Sequence, residues 1–286
     1  MTDCLKYSLI AAACVAATAA VVLLTAKPDC GPKMAWSRVL MDGSRTGVKS
    51  VTGTNVEEAL GTFEDEVYIA PNGRRFTDGA TPLVAAELTE VQPKMSRLKE
   101  TIGFCPEEME AEGPESGLSN MLVDALREEA SRIYKVPMDI AVTNFGGIRV
   151  PMPKGEVILD DILSMFPFKN YVAYAKVRGR ELRKLFDQFA ATKVQCLSGV
   201  KLVVKNKAVE SVEIGGKPIE DGRLYNVATI DFLLDGGDRI AIGAMAEDVQ
   251  LSDVLIKDFM LRYLRGLTAE GKNIEYAKDG RVIVEE

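Results

Sequence analysis

The chain contains no histidine. That absence excludes Ser-His-Asp and Cys-His nucleophilic catalysis as usually built. It also excludes histidine-ligated zinc, iron and paired-metal hydrolytic centres. Cysteine is scarce and scattered, at Cys4, Cys14, Cys30, Cys105 and Cys196, with no Cys-x-x-Cys pair. Neither a disulfide framework nor a cysteine metal cluster is encoded, and Cys105 and Cys196 read as small buried hydrophobes. Positive charge is in deficit, 35 lysines and arginines against 42 acids, for a net charge of −7. The broad basic footprint that nucleic acid requires is therefore missing, although one locally basic pocket for a small anion is not excluded. Internal repeats and low-complexity tracts are absent as well. What is present is a globular composition, 47% hydrophobic and 27% charged over 286 residues, sufficient for one large domain or two small ones.

The N-terminus departs from that average. A short polar start is followed by an almost wholly apolar or small stretch from Tyr7 to Ala26, and charge and proline return at Lys27-Pro28-Asp29-Cys30. This is the pattern of an export signal over residues 1–26. The stretch is also long enough to act as an uncleaved membrane anchor, and lipid attachment at Cys14 or Cys30 is a third mode. The expected location is the periplasm or cell envelope, with membrane contact only through this segment.

Residues 27–97 read as an extension. Met41 to Gly47 is a loop, and Asn55 to Leu60 a short helix capped by Asn55. Val67 to Ala70, Asn72-Gly73 and Arg75-Phe76 spell a tight hairpin. Residues 82–100 have a helical pattern that Pro93 should break. Beyond them, Thr101–Met109 reads as a strand, Ser116–Tyr134 as an amphipathic helix and Asp139–Thr143 as a strand. Leu159–Phe166 reads as a helix, Tyr171–Val177 as a strand and Gly179–Ala190 as a helix. Gly199–Val204, Val209–Ile214 and Tyr225–Thr229 read as strands, Asp231–Asp238 as a loop, 250–265 as a helix and Arg281–Val284 as a strand. Strands and helices interleave without strict βαβ spacing, so the expected class is α/β or α+β, a mixed sheet with packed helices.

Three loops hold unusual residues. In Thr143–Arg149, Gly146-Gly147 permit close backbone approach to a ligand, and Arg149 offers a planar fork for phosphate or carboxylate. Phe166-Pro167-Phe168-Lys169-Asn170 combines two rings that read as core with an asparagine able to cap the loop or meet a ligand. In Phe232–Asp238 an aromatic face and a carboxylate stand six residues apart across Gly236-Gly237. A ring can stack on a base, and a carboxylate accepts bonds from paired ribose hydroxyls. Taken singly, each loop reads more readily as an ordinary turn than as a site.

Their order is more telling. Glu115-Ser116-Gly117-Leu118-Ser119-Asn120, Asp124-Ala125-Leu126, Thr143 to Arg149, Gly155, Pro167 to Asn170, Arg178 to Leu182, Ser198-Gly199-Val200 and Tyr225 to Thr229 with Phe232 to Asp238 occur in series. The series, over roughly residues 98–286, resembles the C-terminal, substrate-binding domain of the 5′-nucleotidase family. The resemblance implies a stand-alone nucleotide-recognition domain. It holds Arg149 against the anionic substrate, Phe232 on the base and Asp238 on the ribose hydroxyls, with Asn144, Gly146, Gly147, Asn170 and Gly199 in matching positions. It further implies a second base-stacking ring just before Ser198-Gly199, where this chain has Gln195-Cys196-Leu197, so the stack is expected to be one-sided.

In that family hydrolysis belongs to a separate metallophosphoesterase domain with two metals. Without histidine, this chain is expected to carry no cofactor of its own and no catalytic residue. The two divalent metals are expected on a partner metallophosphoesterase chain, and the ligand is expected to be a nucleotide or nucleoside rather than nucleic acid. The alternative is a non-catalytic envelope protein that binds nucleotides or other phosphoesters.

Overall fold

The computed structural model describes residues 43–285, except 50 and 53. The expected export segment over 1–26, with Cys4, Cys14 and Cys30, lies outside the described residues. Arg45 to Glu286 make one compact unit.

Its first elements are small. Helix α1 (Val56–Leu60) follows Asn55, whose Oδ1 accepts from the Thr52 N–H at 2.6 Å instead of capping the helix. Strands β1 (Thr62–Glu64), β2 (Val67–Ile69) and β3 (Arg75–Phe76) form an antiparallel sheet. The expected turn at Asn72-Gly73 is there, and a second turn at Asp65-Glu66 adds a strand that the hairpin reading lacked. Tyr68 stacks on Phe76 at 5.9 Å and donates its hydroxyl to the Leu60 carbonyl at 2.7 Å. Helix α2 (Ala80–Val91) tightens into a 3-10 helix (Gln92–Lys99) at Pro93, which has no N–H to continue the α-helical ladder.

Strand β4 (Thr101–Cys105) leads towards α3 (Gly117–Tyr134). Ser116 and Ser119 form a reciprocal cap. The Ser116 hydroxyl accepts from the Ser119 N–H at 3.1 Å, and Ser119 Oγ accepts from the Ser116 N–H at 3.0 Å. Leu118, Met121, Leu122, Ala125, Leu126 and Ala130 recur at helical spacing, and all are buried. Then come β5 (Ile140–Thr143), β6 (Gly155–Ile158), α4 (Leu159–Met165), β7 (Tyr171–Arg178), α5 (Gly179–Ala191) and β8 (Cys196–Ser198). After them follow β9 (Val200–Lys205), β10 (Ala208–Ile214), β11 (Lys217–Pro218) and β12 (Leu224–Ile230). The remaining elements are α6 (Asp231–Leu234), a 3-10 turn (Gly237–Arg239), α7 (Ile242–Met245), β13 (Ala246–Leu255), α8 (Ile256–Ala269) and β14 (Val282–Glu285).

The main sheet has the order β13-β7-β12-β5-β8. Only β12 and β5 run parallel; the other neighbours are antiparallel. A second sheet, β11-β10-β9-β14, is closed by a parallel β9–β14 pair. Helices α3 and α5 pack on the strands, and one continuous core runs through these elements. The class is mixed α/β, as the interleaving of elements implied. The helix read over 250–265 needs correction: residues up to Leu255 are strand, and the helix starts at Ile256. Val249 and Leu251 alternate with Asp248, Gln250 and Ser252, a two-residue period that suits pairing with β7.

The C-terminal segment is locked by buried and half-buried polar groups. Glu115 accepts from Asn120 Nδ2 and from the backbone N–H groups of Asp279, Gly280 and Val282. Arg281 makes two bonds to Asp124, at 2.7 and 2.8 Å, and Asp124 also accepts from the Ser198 and Tyr276 hydroxyls. Burial pushes the Asp124 carboxyl up, but the Arg281, Ser198 and Tyr276 bonds together hold it below the usual carboxylate range. Cys105 and Cys196 are buried free thiols, and burial pushes both upward.

Candidate ligand cleft

Strand direction decides which loops can meet. Because β5 and β12 are parallel neighbours, the segments leaving Thr143 and Ile230 emerge at the same end of the sheet. Strand β7 is antiparallel to β12, with Val172 opposite Ile230, so the segment entering β7 reaches that end too. Strand β8 is antiparallel to β5, with Cys196 opposite Thr143, and brings Gln195 there. Segments far apart in sequence thus converge outside the carboxyl ends of the parallel pair, where ligand crevices of such sheets form.

A cleft of about 270 Å³ opens at this end, lined by Asn144, Gly146, Gly147, Arg149, Phe168, Asn170, Phe232 and Asp238. Seven of the eight residues picked out from the sequence lie in it. Gly199 does not. It follows the last residue of β8, at the end of the sheet remote from the cleft. Its reason is local: φ is +73°, and a Cβ there would stand 2.2 Å from the Asp139 carbonyl oxygen.

Phe168 is the residue that sequence reasoning misplaced. Phe166 is core, 3% exposed, but Phe168 is 46% exposed and lines the cleft with Phe232, which is 41% exposed. The Arg149 guanidinium lies over the Phe168 ring, 5.9 Å from its centroid. As the sequence implies, no ring stands just before Ser198, but the one-sided stack expected from that does not follow, because Phe168 and Phe232 both line the cleft. Cys196 and Leu197 are buried in β8, and Gln195 Oε1 accepts the Phe145 N–H at 3.1 Å. The second ring of the cleft therefore comes from the Pro167–Asn170 loop. The missed signal was its setting: after Pro167 and before Lys169-Asn170, nothing local requires Phe168 to be buried.

Polar contacts hold the walls. Asn144 Nδ2 donates to Asp238 Oδ2 at 2.6 Å. Asn144 is buried, and its Oδ1 has no partner among the described residues, an unsatisfied acceptor worth about 1–3 kcal/mol. Asp231 Oδ1 accepts from the N–H groups of Tyr171 at 3.0 Å and Phe232 at 2.9 Å, tying the two ring-bearing loops together. The Phe232 ring lies directly on Gly237, where a Cβ would come within 2.4 Å of it. Asp238 and Arg239 both adopt left-handed backbone, φ +52° and +64°, a strained state that persists where surroundings over-determine it. The cleft offers two aromatic faces, one guanidinium and one carboxylate. That set suits a flat heterocycle joined to a polyol and an anionic group.

No group of three or more cysteine, aspartate or glutamate side chains able to hold a metal occurs among the described residues. The cleft itself presents one carboxylate, Asp238, among its lining residues. Among the same residues no helix is long and apolar enough to cross a membrane.

Residues 95–246, more than half of the chain, match the family model for the 5′-nucleotidase C-terminal domain. Protein UshA of Yersinia enterocolitica is 33% identical over 114 residues, covering 38% of this chain and 21% of that protein. The 5′-nucleotidase of Vibrio vulnificus is 30% identical over 113 residues, covering 38% and 20%. The matched region thus spans about a fifth of the length of these relatives. Among solved structures, the 5′-nucleotidase precursor of Thermus thermophilus superposes with a TM-score of 0.62 at 23% identity, covering 72% of this chain and 44% of that one. The NAD nucleotidase of Haemophilus influenzae superposes at 0.53 and 15% identity, covering 77% and 48%. At these identities the likeness is one of fold.

Proposed function

The chain belongs to the 5′-nucleotidase C-terminal domain family, and from that premise we propose that it is the nucleotide-gripping component of a phosphomonoester hydrolase in nucleotide breakdown. The observation that carries this reading is a single cleft uniting Arg149, Phe168, Phe232 and the Asn144–Asp238 pair. In it the base stacks between or beside the two phenylalanine rings. Asp238, already fixed by Asn144 Nδ2, accepts the ribose hydroxyls. Arg149 meets the 5′-phosphate with its guanidinium.

Bond cleavage needs groups these residues do not supply. With no histidine in the 286 residues, we place the two divalent metals and the hydrolytic step on a separate metallophosphoesterase chain. The apolar stretch from Tyr7 to Ala26 supports export and action in the periplasm or cell envelope.

Calorimetric titration of the 286-residue chain with AMP tests the reading. Binding of AMP is expected, without phosphate release by the chain alone. Phosphate release is expected when a metallophosphoesterase partner is added. Absence of AMP heat, or turnover by the pure chain that survives chelator treatment, would overturn it. Binding that no phosphoesterase converts to turnover would leave a nucleotide-binding protein outside catalysis.

A further inference from the structure

Asp238 is a wall between two clefts. Beyond it lies a second opening of about 370 Å³, lined among others by Gln188, Lys193, Gln195, Asp238 and Arg239. The volume is within the range of small-molecule sites. Consecutive left-handed residues create this geometry. They turn the chain sharply, so that Asp238 lines both openings while Arg239 lines only the second.

The second opening is positively charged in a chain of net charge −7. Neither Lys193 nor Arg239 is in an ion pair among the described residues. Its framework is held rather than loose. The Lys193 ammonium sits 5.6 Å from the centroid of the buried Phe145 ring, one residue from Asn144 of the first cleft. Gln188 Nε2 donates to the Arg239 carbonyl at 2.8 Å, and Gln195 Oε1 accepts the Phe145 N–H. The one carboxylate on the wall, Asp238, is already bonded to Asn144 Nδ2. Two cations without a salt-bridge partner among the described residues therefore share this opening with a single carboxylate, one oxygen of which already accepts from Asn144.

We propose that this second opening is a phosphate subsite for nucleosides phosphorylated on the 2′ or 3′ oxygen of the ribose. The inference rests on the nucleotide reading of the first cleft. If Asp238 receives the ribose hydroxyls there, a substituent on one of those oxygens must pass the Asp238 wall. Lys193 and Arg239 lie on its far side. The remaining hydroxyl still donates to Asp238, and the phosphate gains two charge-assisted partners.

Calorimetry with the 286-residue chain and four probes tests this: adenosine, adenosine 2′-phosphate, adenosine 3′-phosphate and AMP. Either the 2′- or the 3′-phosphate is expected to bind about tenfold tighter than adenosine, the scale of a charge-assisted contact, and the position that gains shows which oxygen faces the subsite. In the Lys193→Gln, Arg239→Gly double variant, that ratio to adenosine should fall to about one. Glycine preserves the positive φ at 239. Lys193→Arg alone should keep the ratio. Using ratios within one protein separates loss of the subsite from loss of the fold. Equal affinity for adenosine and both ribose phosphates in the native chain would overturn the subsite and leave the first cleft standing. A double variant that lowers the AMP gain as much as the ribose-phosphate gain would also overturn it, since that pattern is general charge attraction. No heat with any probe would overturn both readings together.

Discussion

Among the described residues before 98 the buried cluster is Tyr68, Ala70 and Ala85, with Phe63 and Phe76 half-buried around it. Leu83, Val84 and Leu88 of α2 remain exposed. After residue 98 a continuous core includes Phe186, Phe189, Tyr225, Leu118 and Met165 at almost no exposure, and a polar lock holds its last strand. Every residue of the ligand cleft comes from this second region. The difference matters because a cleft assembled from several loops needs their supporting strands to be rigid. Rigidity follows from dense burial, which the short N-terminal elements do not reach.

Substitutions can break that contrast, beginning with the core. Phe186→Ala empties a fully buried site and should cost about 3–5 kcal/mol in urea unfolding followed by circular dichroism. Arg281→Ala comes next. It strands Asp124 beside the C-terminal strand, and with both side chains partly reached by water the loss should be about 2 kcal/mol. This effect carries a pH signature. Asp124 has its folded pKa below the unfolded value, so its contribution is present above about pH 4 and fades as pH falls through the lower folded value. The stability gap between the native chain and Asp124→Asn should therefore close in melts taken from about pH 6 down to about pH 2.

Phe168→Ala sharpens the comparison at the cleft itself. It removes an exposed ring, so stability should shift by less than about 0.5 kcal/mol. AMP affinity should drop about tenfold by calorimetry, within the roughly 1–3 kcal/mol typical of base–aromatic stacking. An unchanged affinity would mean that Phe232 alone holds the base. The smallest effect is expected from Tyr68→Ala. Losing its stack on Phe76 and its bond to Leu60 should expose the 45–97 region to proteolysis while leaving the main unfolding transition within about 0.5 kcal/mol and AMP binding intact.

Much of this was legible where a signal is local. The Asn72-Gly73 turn and the break at Pro93 each depend on a few adjacent residues, and the sequence shows them directly; the Ser116 cap went unread, and the Asn55 cap that was read does not form. The candidate ligand residues were readable only through the joint order of their motifs, since each loop alone reads as an ordinary turn. Strand β13 was not readable with the same ease. It is an edge strand with exposed faces, and the partner that makes it a strand, β7, is distant along the chain: Asp248 stands opposite Lys176.

By itself, then, the amino-acid order determined the missing imidazole chemistry, the apolar character of Tyr7–Ala26 and the turns, because each is set by composition or by neighbours along the backbone. Only the tertiary structure decided that Phe168 shares a cleft with Phe232, that Gly199 belongs to the far end of the sheet, and that Asp238 separates two openings. Those facts depend on the parallel pairing of β5 with β12 and the antiparallel pairing of β7 and β8 beside them. Strand direction is a long-range choice made by burial of the whole core, and no short stretch of sequence contains it.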